Sequence, residues 1–194
     1  MSVLIIYQSL EGQTLKIARF ARDVADKAGE EVTMFDTADK TAPVSFDGVD
    51  RVILAAPVHE RRHPKEFEFL LTTSADDLAA RKTLLISVSL SAAFEEGLGE
   101  ARDYLNELEM RTGFRPEVEV LAAGAVRTGR YDYFATQVVR HVVLRDRDYD
   151  PGEGEHEFTD WAALEVALRD FLSADPEAGA RSRHLEGLGP ARNG

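Results

Sequence analysis

The fold of this 194-residue chain is decided by residues 3–18, which read VLIIYQSLEGQTLKIA. The apolar run 3–7 is too short for a helix and is bounded by turn-forming residues, which is typical of a strand buried on both faces. From Leu15 onward, apolar residues return at helical spacing. The stretch therefore predicts a strand that enters a helix through the polar loop 8–14.

The loop 8–14 is suited to binding an anion. The first N–H groups of a helix lack partners within the helix, and the helix dipole adds partial positive charge there. Gly12 lets the backbone approach closely, and Ser9 and Thr14 offer hydroxyl donors. Because no Lys or Arg lies between residues 8 and 15, neutral donors hold the anion, which favours a small phosphate over a magnesium–triphosphate. An ordinary polar turn is the open alternative, since neither common nucleotide-binding glycine motif is present.

Four more short apolar runs follow, and helical patterns separate them. Strands are predicted at 31–36, 51–56, 82–90 and 118–125. The first helix ends near Ala28, the next begins at Pro64, others span 95–111 and 131–145, and Thr159 caps a last helix with an apolar stripe of Trp161, Leu164, Leu168, Phe171 and Leu172. This alternation predicts an α/β fold with a five-stranded parallel sheet in the order 2-1-3-4-5. Its ligand crevice lies at the carboxyl ends of strands one and three.

Composition narrows the class of protein. A hydrophobic fraction of 44% suffices for one domain over 1–173, while 174–194, rich in Gly, Arg and Pro, is expected to be a disordered tail. The absence of cysteine excludes disulfides and thiolate ligands. A net charge of −12 argues against nucleic acid as a partner and suits either a high-salt cytoplasm or an ordinary solubilising surface. With no signal peptide or membrane-spanning run in the sequence, we expect a cytoplasmic protein.

The opening stretch resembles the flavodoxin signature: an aliphatic strand, an aromatic residue, x-Ser-x-x-Gly-x-Thr, and then a helix. The resemblance implies a flavodoxin-like three-layer α/β/α fold with FMN as cofactor. It also implies the residues that bind FMN. Its phosphate would be held by Ser9, Gly12 and Thr14 and by the amides of Leu10, Glu11 and Gln13, and its ring would lie between Pro57, Val58 and His59 on one loop and Ser89, Leu90 and Ser91 on another.

Residues 1–172 are also similar, in order and spacing, to the flavodoxin-type, quinone-dependent protoporphyrinogen oxidases. The similarity lies in Glu11-Gly12-Gln13-Thr14, in the run from Ala123 to Tyr131, and in Phe158-Thr159-Asp160-Trp161. It implies oxidation of protoporphyrinogen IX to protoporphyrin IX in haem biosynthesis, with electrons passing through FMN to a membrane quinone. On this resemblance we expect Arg127 to bind a substrate propionate or the flavin and Tyr131 to stack on the macrocycle. A surface salt bridge and packing at a helix end are the open alternatives for these two residues.

The loops themselves favour an enzyme over an electron carrier. The loop 57–63 contains no Phe, Tyr or Trp, and Phe94 is the only aromatic residue in 89–99, so a ring face is left open for a substrate. A flavodoxin-like carrier and a flavin-free interaction module remain alternatives. We expect His59 and His63 to be solvated loop residues, and proton transfer is the alternative role for them. We expect no metal site at these histidines. The helix 131–145 is either a core helix or a peripheral membrane contact.

Overall fold

A parallel β-sheet forms the middle layer of the protein. The structure is a computed structural model that describes residues 1–39, 41, 43–127, 155–174 and 183–184. The strands are β1 (Ser2–Tyr7), β2 (Glu31–Asp36), β3 (Arg51–Pro57), β4 (Lys82–Ser89), β5 (Val118–Ala123), β6 (Ala125–Arg127), β7 (Glu155–Glu157) and β8 (Arg183–His184). The order β2-β1-β3-β4-β5 confirms the predicted sheet, and the two-residue β8 adds to the β5 edge.

Helices cover both faces of this sheet. They are α1 (Gln13–Lys27), α2 (Lys65–Thr73), α3 (Ala75–Ala79), α4 (Leu98–Thr112) and α5 (Trp161–Ser173). Val3 and Ile5 of β1 pack in one core cluster with α1 and α5. Leu4 and Ile6 point to the opposite face and pack with α2, α3 and α4. Because both faces are buried, the four central residues of β1, 3–6, are all apolar. The three-layer α/β/α fold is confirmed.

The fifth strand is shorter than predicted. It ends at Ala123, and Ala125 belongs instead to β6, which pairs antiparallel with β7 in a separate ribbon. Gly124 makes the break, because its N–H donates to the Ser89 carbonyl at 3.1 Å and its carbonyl accepts from Phe158 N–H at 3.0 Å. The chain thus leaves the sheet at the edge where the predicted site lies.

Three predicted helix starts are wrong by one to three residues. The helix predicted at 95–111 begins at Leu98, after a 3₁₀ turn at Glu95–Gly97. A Cβ on Gly97 would lie 2.2 Å from the Ser91 carbonyl oxygen, so this turn folds back too tightly for a side chain. The last helix is capped by Asp160, whose Oδ1 accepts from Ala163 N–H at 3.0 Å, and not by Thr159. Pro64 is the N-cap of α2 rather than its first residue.

Some sequence predictions fall on residues that the structure does not describe. The helix 131–145 and most of the tail 174–194 lie outside the described residues, so both remain predictions, as does the domain boundary at 173. Among the described residues, no helix has both the length and the apolar composition needed to cross a bilayer.

Candidate functional site

The turn from β1 into α1 forms a cradle of backbone donors. Gly12 has a left-handed backbone conformation (φ 97°, ψ −17°), and α1 begins at the next residue. The first bond of the helix runs from Lys16 N–H to the Gly12 carbonyl at 3.1 Å. The amides of Gln13 and Thr14 therefore have no acceptor within the helix and are available to an anion. The Ser9 hydroxyl closes the loop by accepting from Gly12 N–H at 3.0 Å.

The structure brings the predicted phosphate residues together on this single turn. Ser9, Glu11 and Gly12 are half-buried, Thr14 is buried, and Leu10 is exposed. The nearby Lys16 pairs with Glu157 and lies 5.5 Å from the Trp161 ring centre. Neutral donors therefore make up the cradle, as the sequence predicts, and the binding role of its residues remains a prediction.

The Gln13 side chain was missed in the sequence reasoning, which considered only its amide. Gln13 Nε2 donates to the Thr159 hydroxyl at 2.8 Å, and that hydroxyl donates to the Ala123 carbonyl at 2.7 Å. Gln13 Oε1 is buried without a hydrogen-bond partner among the described residues. A buried acceptor without a donor is costly, and a hydroxyl of a bound molecule would satisfy it. FMN carries both a phosphate for the cradle and ribityl hydroxyls for this oxygen, so the residues present fit that cofactor.

The loop after β3 is a tight hairpin. His59 and Arg62 exchange backbone hydrogen bonds of 2.9 and 3.0 Å, and Val58 N–H donates to the Val88 carbonyl at 2.8 Å. Glu60 and Arg61 have φ angles of 49° and 64°. Positive φ at both central residues is typical of a type I′ turn, which usually takes Asn or Gly. The sequence therefore carries no signal for this hairpin, although Pro57, Val58 and His59 fall on the loop as predicted.

His63 is not a solvated loop residue, so that prediction is wrong. It is 1% exposed, and its Nε2 lies 3.0 Å from the Ser87 hydroxyl. Burial lowers the pKa of His63 to about 4; Glu68 raises this pKa and Arg111 lowers it. The imidazole is therefore neutral at pH 7 and anchors the hairpin to β4. The described residues contain no group of three His, Cys, Asp or Glu side chains placed to hold a metal ion.

A buried carboxylate also stabilises the hairpin after β3. Glu68 of α2 is 6% exposed and accepts from Arg62 Nε at 3.2 Å and from Arg111 Nε at 2.9 Å. Two arginines from different elements thus balance one carboxylate. The sequence pattern misses this cluster, because Glu68 and Arg111 lie 43 residues apart.

The loop after β4 lies beside this hairpin. Ser89 is buried and its hydroxyl accepts from Ala92 N–H at 3.2 Å, while Leu90 and Ser91 are half-buried. Phe94 is 8% exposed, with its ring 5.6 Å from that of Phe158 in an edge-to-face contact. The single aromatic residue of this loop is therefore turned into the protein.

Glu100 of α4 contacts both loops, and its first contact is an ion pair with Arg61 of the hairpin. The other oxygen of Glu100 accepts from the Ser91 hydroxyl at 2.9 Å. Partial burial raises the pKa of Glu100, but hydrogen bonds from Ser91 and Tyr104 and the Arg61 guanidinium together hold it below its usual value. The carboxylate is therefore ionised at neutral pH.

The two predicted catalytic residues are not positioned by the structure. Arg127 belongs to β6, where its backbone pairs with Glu155, and its side chain lies outside the description. Tyr131 also lies outside the described residues. Both assignments remain predictions.

A cavity of about 680 Å³ lies away from the predicted site. It is lined by Phe35, Thr37, Pro43, Val44, Lys65, Glu66, Phe69, Leu70, Thr73 and Ser74. Gln8 connects it to the phosphate loop, since Gln8 accepts from the Thr37 hydroxyl at 2.8 Å and donates to Glu66 at 3.4 Å. None of the predicted cofactor residues lines this cavity.

The sequence is similar to those of known oxidoreductases. The chain is 22% identical over 172 residues to the protoporphyrinogen IX dehydrogenase [quinone] of Escherichia coli (strain K12), covering 88% of this chain and 94% of that protein. It is 23% identical to the Leishmania major protein of the same name, covering 88% and 74% respectively. These distant relatives support an oxidoreductase family.

Solved structures and a domain family agree on the fold. A short-chain flavodoxin associated with a bacterial microcompartment superposes with a TM-score of 0.52 at 12% identity, covering 89% of this chain and 97% of that one. A flavodoxin from the domain Archaea gives 0.50 at 12% identity, covering 89% and 96%. The flavodoxin domain family matches residues 4–151. The chain therefore belongs to the flavodoxin domain family, and this membership confirms FMN as its predicted cofactor.

Proposed function

We propose that the protein is an FMN-dependent oxidoreductase that oxidises protoporphyrinogen IX to protoporphyrin IX and passes the electrons to a quinone, as a step of haem biosynthesis. The observation that carries this proposal is the similarity to a quinone-linked protoporphyrinogen IX dehydrogenase over 94% of that protein's length. Because the quinone that accepts the electrons in that family lies in a membrane, we also propose a cytoplasmic location, with peripheral contact at the inner face of the cell membrane.

The loops after β3 and β4, residues 57–63 and 89–99, support an enzyme rather than an electron carrier. A one-electron carrier typically shields its flavin between aromatic side chains. Here the hairpin segment 57–63 has none, and Phe94 packs against Phe158. The described parts of these loops therefore leave a flavin face open to a flat substrate.

The residues of the chain bind and orient, while the cofactor supplies the redox chemistry. FMN, when bound, would supply the two-electron redox chemistry that each of the three oxidation steps requires. The amides of Gln13 and Thr14 hold its phosphate at the start of α1, and Gln13 Oε1 accepts from a ribityl hydroxyl. In this proposal Arg127 binds a propionate, since a guanidinium matches a carboxylate with two parallel hydrogen bonds, and Tyr131 stacks on the macrocycle.

The proposal is tested by following porphyrin fluorescence. The protein is loaded with FMN, supplied with a soluble quinone, and given protoporphyrinogen under anaerobic conditions. We expect porphyrin to form only when protein, FMN and quinone are all present. Porphyrin formation no faster than in the reaction without protein would refute the substrate assignment.

An electron carrier is the second candidate function, and the exposed acidic residues of these two loops favour it. Glu60, Glu95 and Glu96 are exposed on the two loops, and carriers of this fold dock partners through such carboxylates. A redox titration separates the two functions. Two well-separated one-electron steps would favour the carrier, whereas a single two-electron transition would favour the enzyme.

A further inference from the structure

We propose that Arg61, Ser91 and Tyr104 form a carboxylate-binding subsite, which Glu100 occupies in the free protein and from which a propionate of the substrate displaces it. The inference rests on the proposed function, because it names the part of a porphyrinogen that this site would take. It concerns residues other than Arg127 and Tyr131.

The bound carboxylate is already present, and it comes from the chain itself. One oxygen of Glu100 pairs with Arg61 Nη1, and the other accepts from the Ser91 hydroxyl at 2.9 Å. The Ser91 hydroxyl lies 3.4 Å from the Tyr104 hydroxyl. A guanidinium and a hydroxyl thus bind the two oxygens of one carboxylate, which is the arrangement that a substrate carboxylate requires.

Arg61 is held in position independently of Glu100. Its guanidinium carbon lies 5.6 Å from the centre of the Tyr104 ring, and Tyr104 is only 5% exposed. A cation over a buried aromatic ring is attracted by the ring face. The hairpin then fixes the backbone, with φ of 64° at Arg61. The cation therefore stays at this place when its carboxylate partner is exchanged.

The subsite lies between the two loops that flank the predicted flavin ring. Arg61 is at the tip of the hairpin after β3, and Ser91 lies two residues after the end of β4. The other hairpin arginine, Arg62, is bound to the buried Glu68. Arg61 is thus the arginine of this hairpin that is left for an exposed carboxylate, and it lies on loops that otherwise expose Glu60 and Glu95.

Exchange of one carboxylate for another costs little here. The side chains of Arg61 and Glu100 are 63% and 41% exposed. Ion pairs exposed to this degree contribute little net free energy, because water solvates both charges when they separate. Glu100 can therefore leave, and its departure from Arg61 removes a negative charge from the position that the propionate takes.

The test compares a porphyrin diacid with its diester. Protoporphyrin IX and protoporphyrin dimethyl ester are titrated against the FMN-loaded protein, with porphyrin absorbance as the readout. We expect R61Q to weaken diacid binding by about two- to fivefold, the size of one partly exposed ion pair, and to leave diester binding unchanged. We expect E100Q to strengthen diacid binding by about two- to fivefold, because a weaker competitor remains.

A matched variant and a second readout exclude indirect effects. R169Q removes an equally exposed arginine, 65% exposed and paired with Glu165 on α5, and it should change neither titration. The FMN dissociation constant and the urea unfolding curve of R61Q should equal those of the unchanged protein.

Each other outcome overturns the inference in a distinct way. If R61Q leaves diacid binding unchanged, or weakens diacid and diester binding equally, the pair is only a link between loops and the proposed function stands. If neither porphyrin binds the unchanged protein, the substrate class itself is wrong and the subsite falls with it.

Discussion

Gly12 allows the sharpest test of the phosphate cradle. Its φ of 97° is a conformation that side chains with a Cβ adopt only with strain. We expect Gly12→Ala to strain the loop by about 1–2 kcal/mol. The free protein can relieve this strain by rotating the turn, but a bound phosphate requires the original turn. The strain energy therefore reduces the free energy of FMN binding, so the FMN dissociation constant should rise by roughly 5- to 30-fold.

Gly29→Ala is the matched control, because Gly29 lies just past the other end of the same helix. Its φ is 80°, and a Cβ there would meet nothing within 4 Å. Gly29→Ala should lower the free energy of unfolding by about 1 kcal/mol, since it forces a Cβ into the left-handed region. Gly12→Ala should lower that of the free protein by less, because its turn can rotate. Only Gly12→Ala should weaken FMN binding in a flavin fluorescence titration. Equal FMN affinities for the two variants would refute the reasoning.

Three further outcomes follow from buried polar groups. Gln13→Leu should weaken FMN binding by about fivefold through loss of one hydrogen bond, as measured by flavin fluorescence; unchanged affinity would remove its side chain from the site. Since the folded pKa of His63, about 4, lies below the usual 6.5, the unfolded chain binds the extra proton, so stability should fall by roughly 3 kcal/mol as the pH drops from 6.5 to 4. His63→Gln should flatten this fall in urea unfolding; an unchanged slope would contradict it. Glu68→Ala should lower the free energy of unfolding by about 2 kcal/mol, because Arg111 loses its buried partner; a change below 0.5 kcal/mol would contradict this.

The sequence was sufficient for the sheet and for the phosphate loop. Short apolar runs predict buried parallel strands, because both of their faces are covered and no polar alternation is required. The conformation of the loop 8–14 was predictable because it depends on consecutive residues, with a glycine at the turn and free amides just after it. Local pattern and local geometry coincide there.

Errors arose where contacts between distant residues decide the structure. Thr159 and Asp160 are both good helix caps, and the choice between them is made by the bond from the Thr159 hydroxyl to the Ala123 carbonyl, 36 residues away. His63 is buried because Ser87 on β4 lies within hydrogen-bond distance of its imidazole. No spacing in the chain encodes either contact.

The hairpin after β3 was missed for a different reason. A type I′ turn is usually recognised in a sequence by Asn or Gly at its two central positions. Here those positions are occupied by Glu60 and Arg61. The surrounding contacts, including the ion pair of Arg62 with the buried Glu68, hold a conformation that the local sequence disfavours. Such a conformation becomes apparent only in the folded structure.

The most direct test of the account is a titration of the purified protein with FMN. Its central claim is that the turn from β1 into α1, with Gly12 at its corner, holds the phosphate of this cofactor. We expect binding of one FMN per chain, with quenching of flavin fluorescence, and much weaker binding of riboflavin, which lacks the phosphate. Equal affinities for FMN and riboflavin, or no binding of FMN in excess, would contradict it.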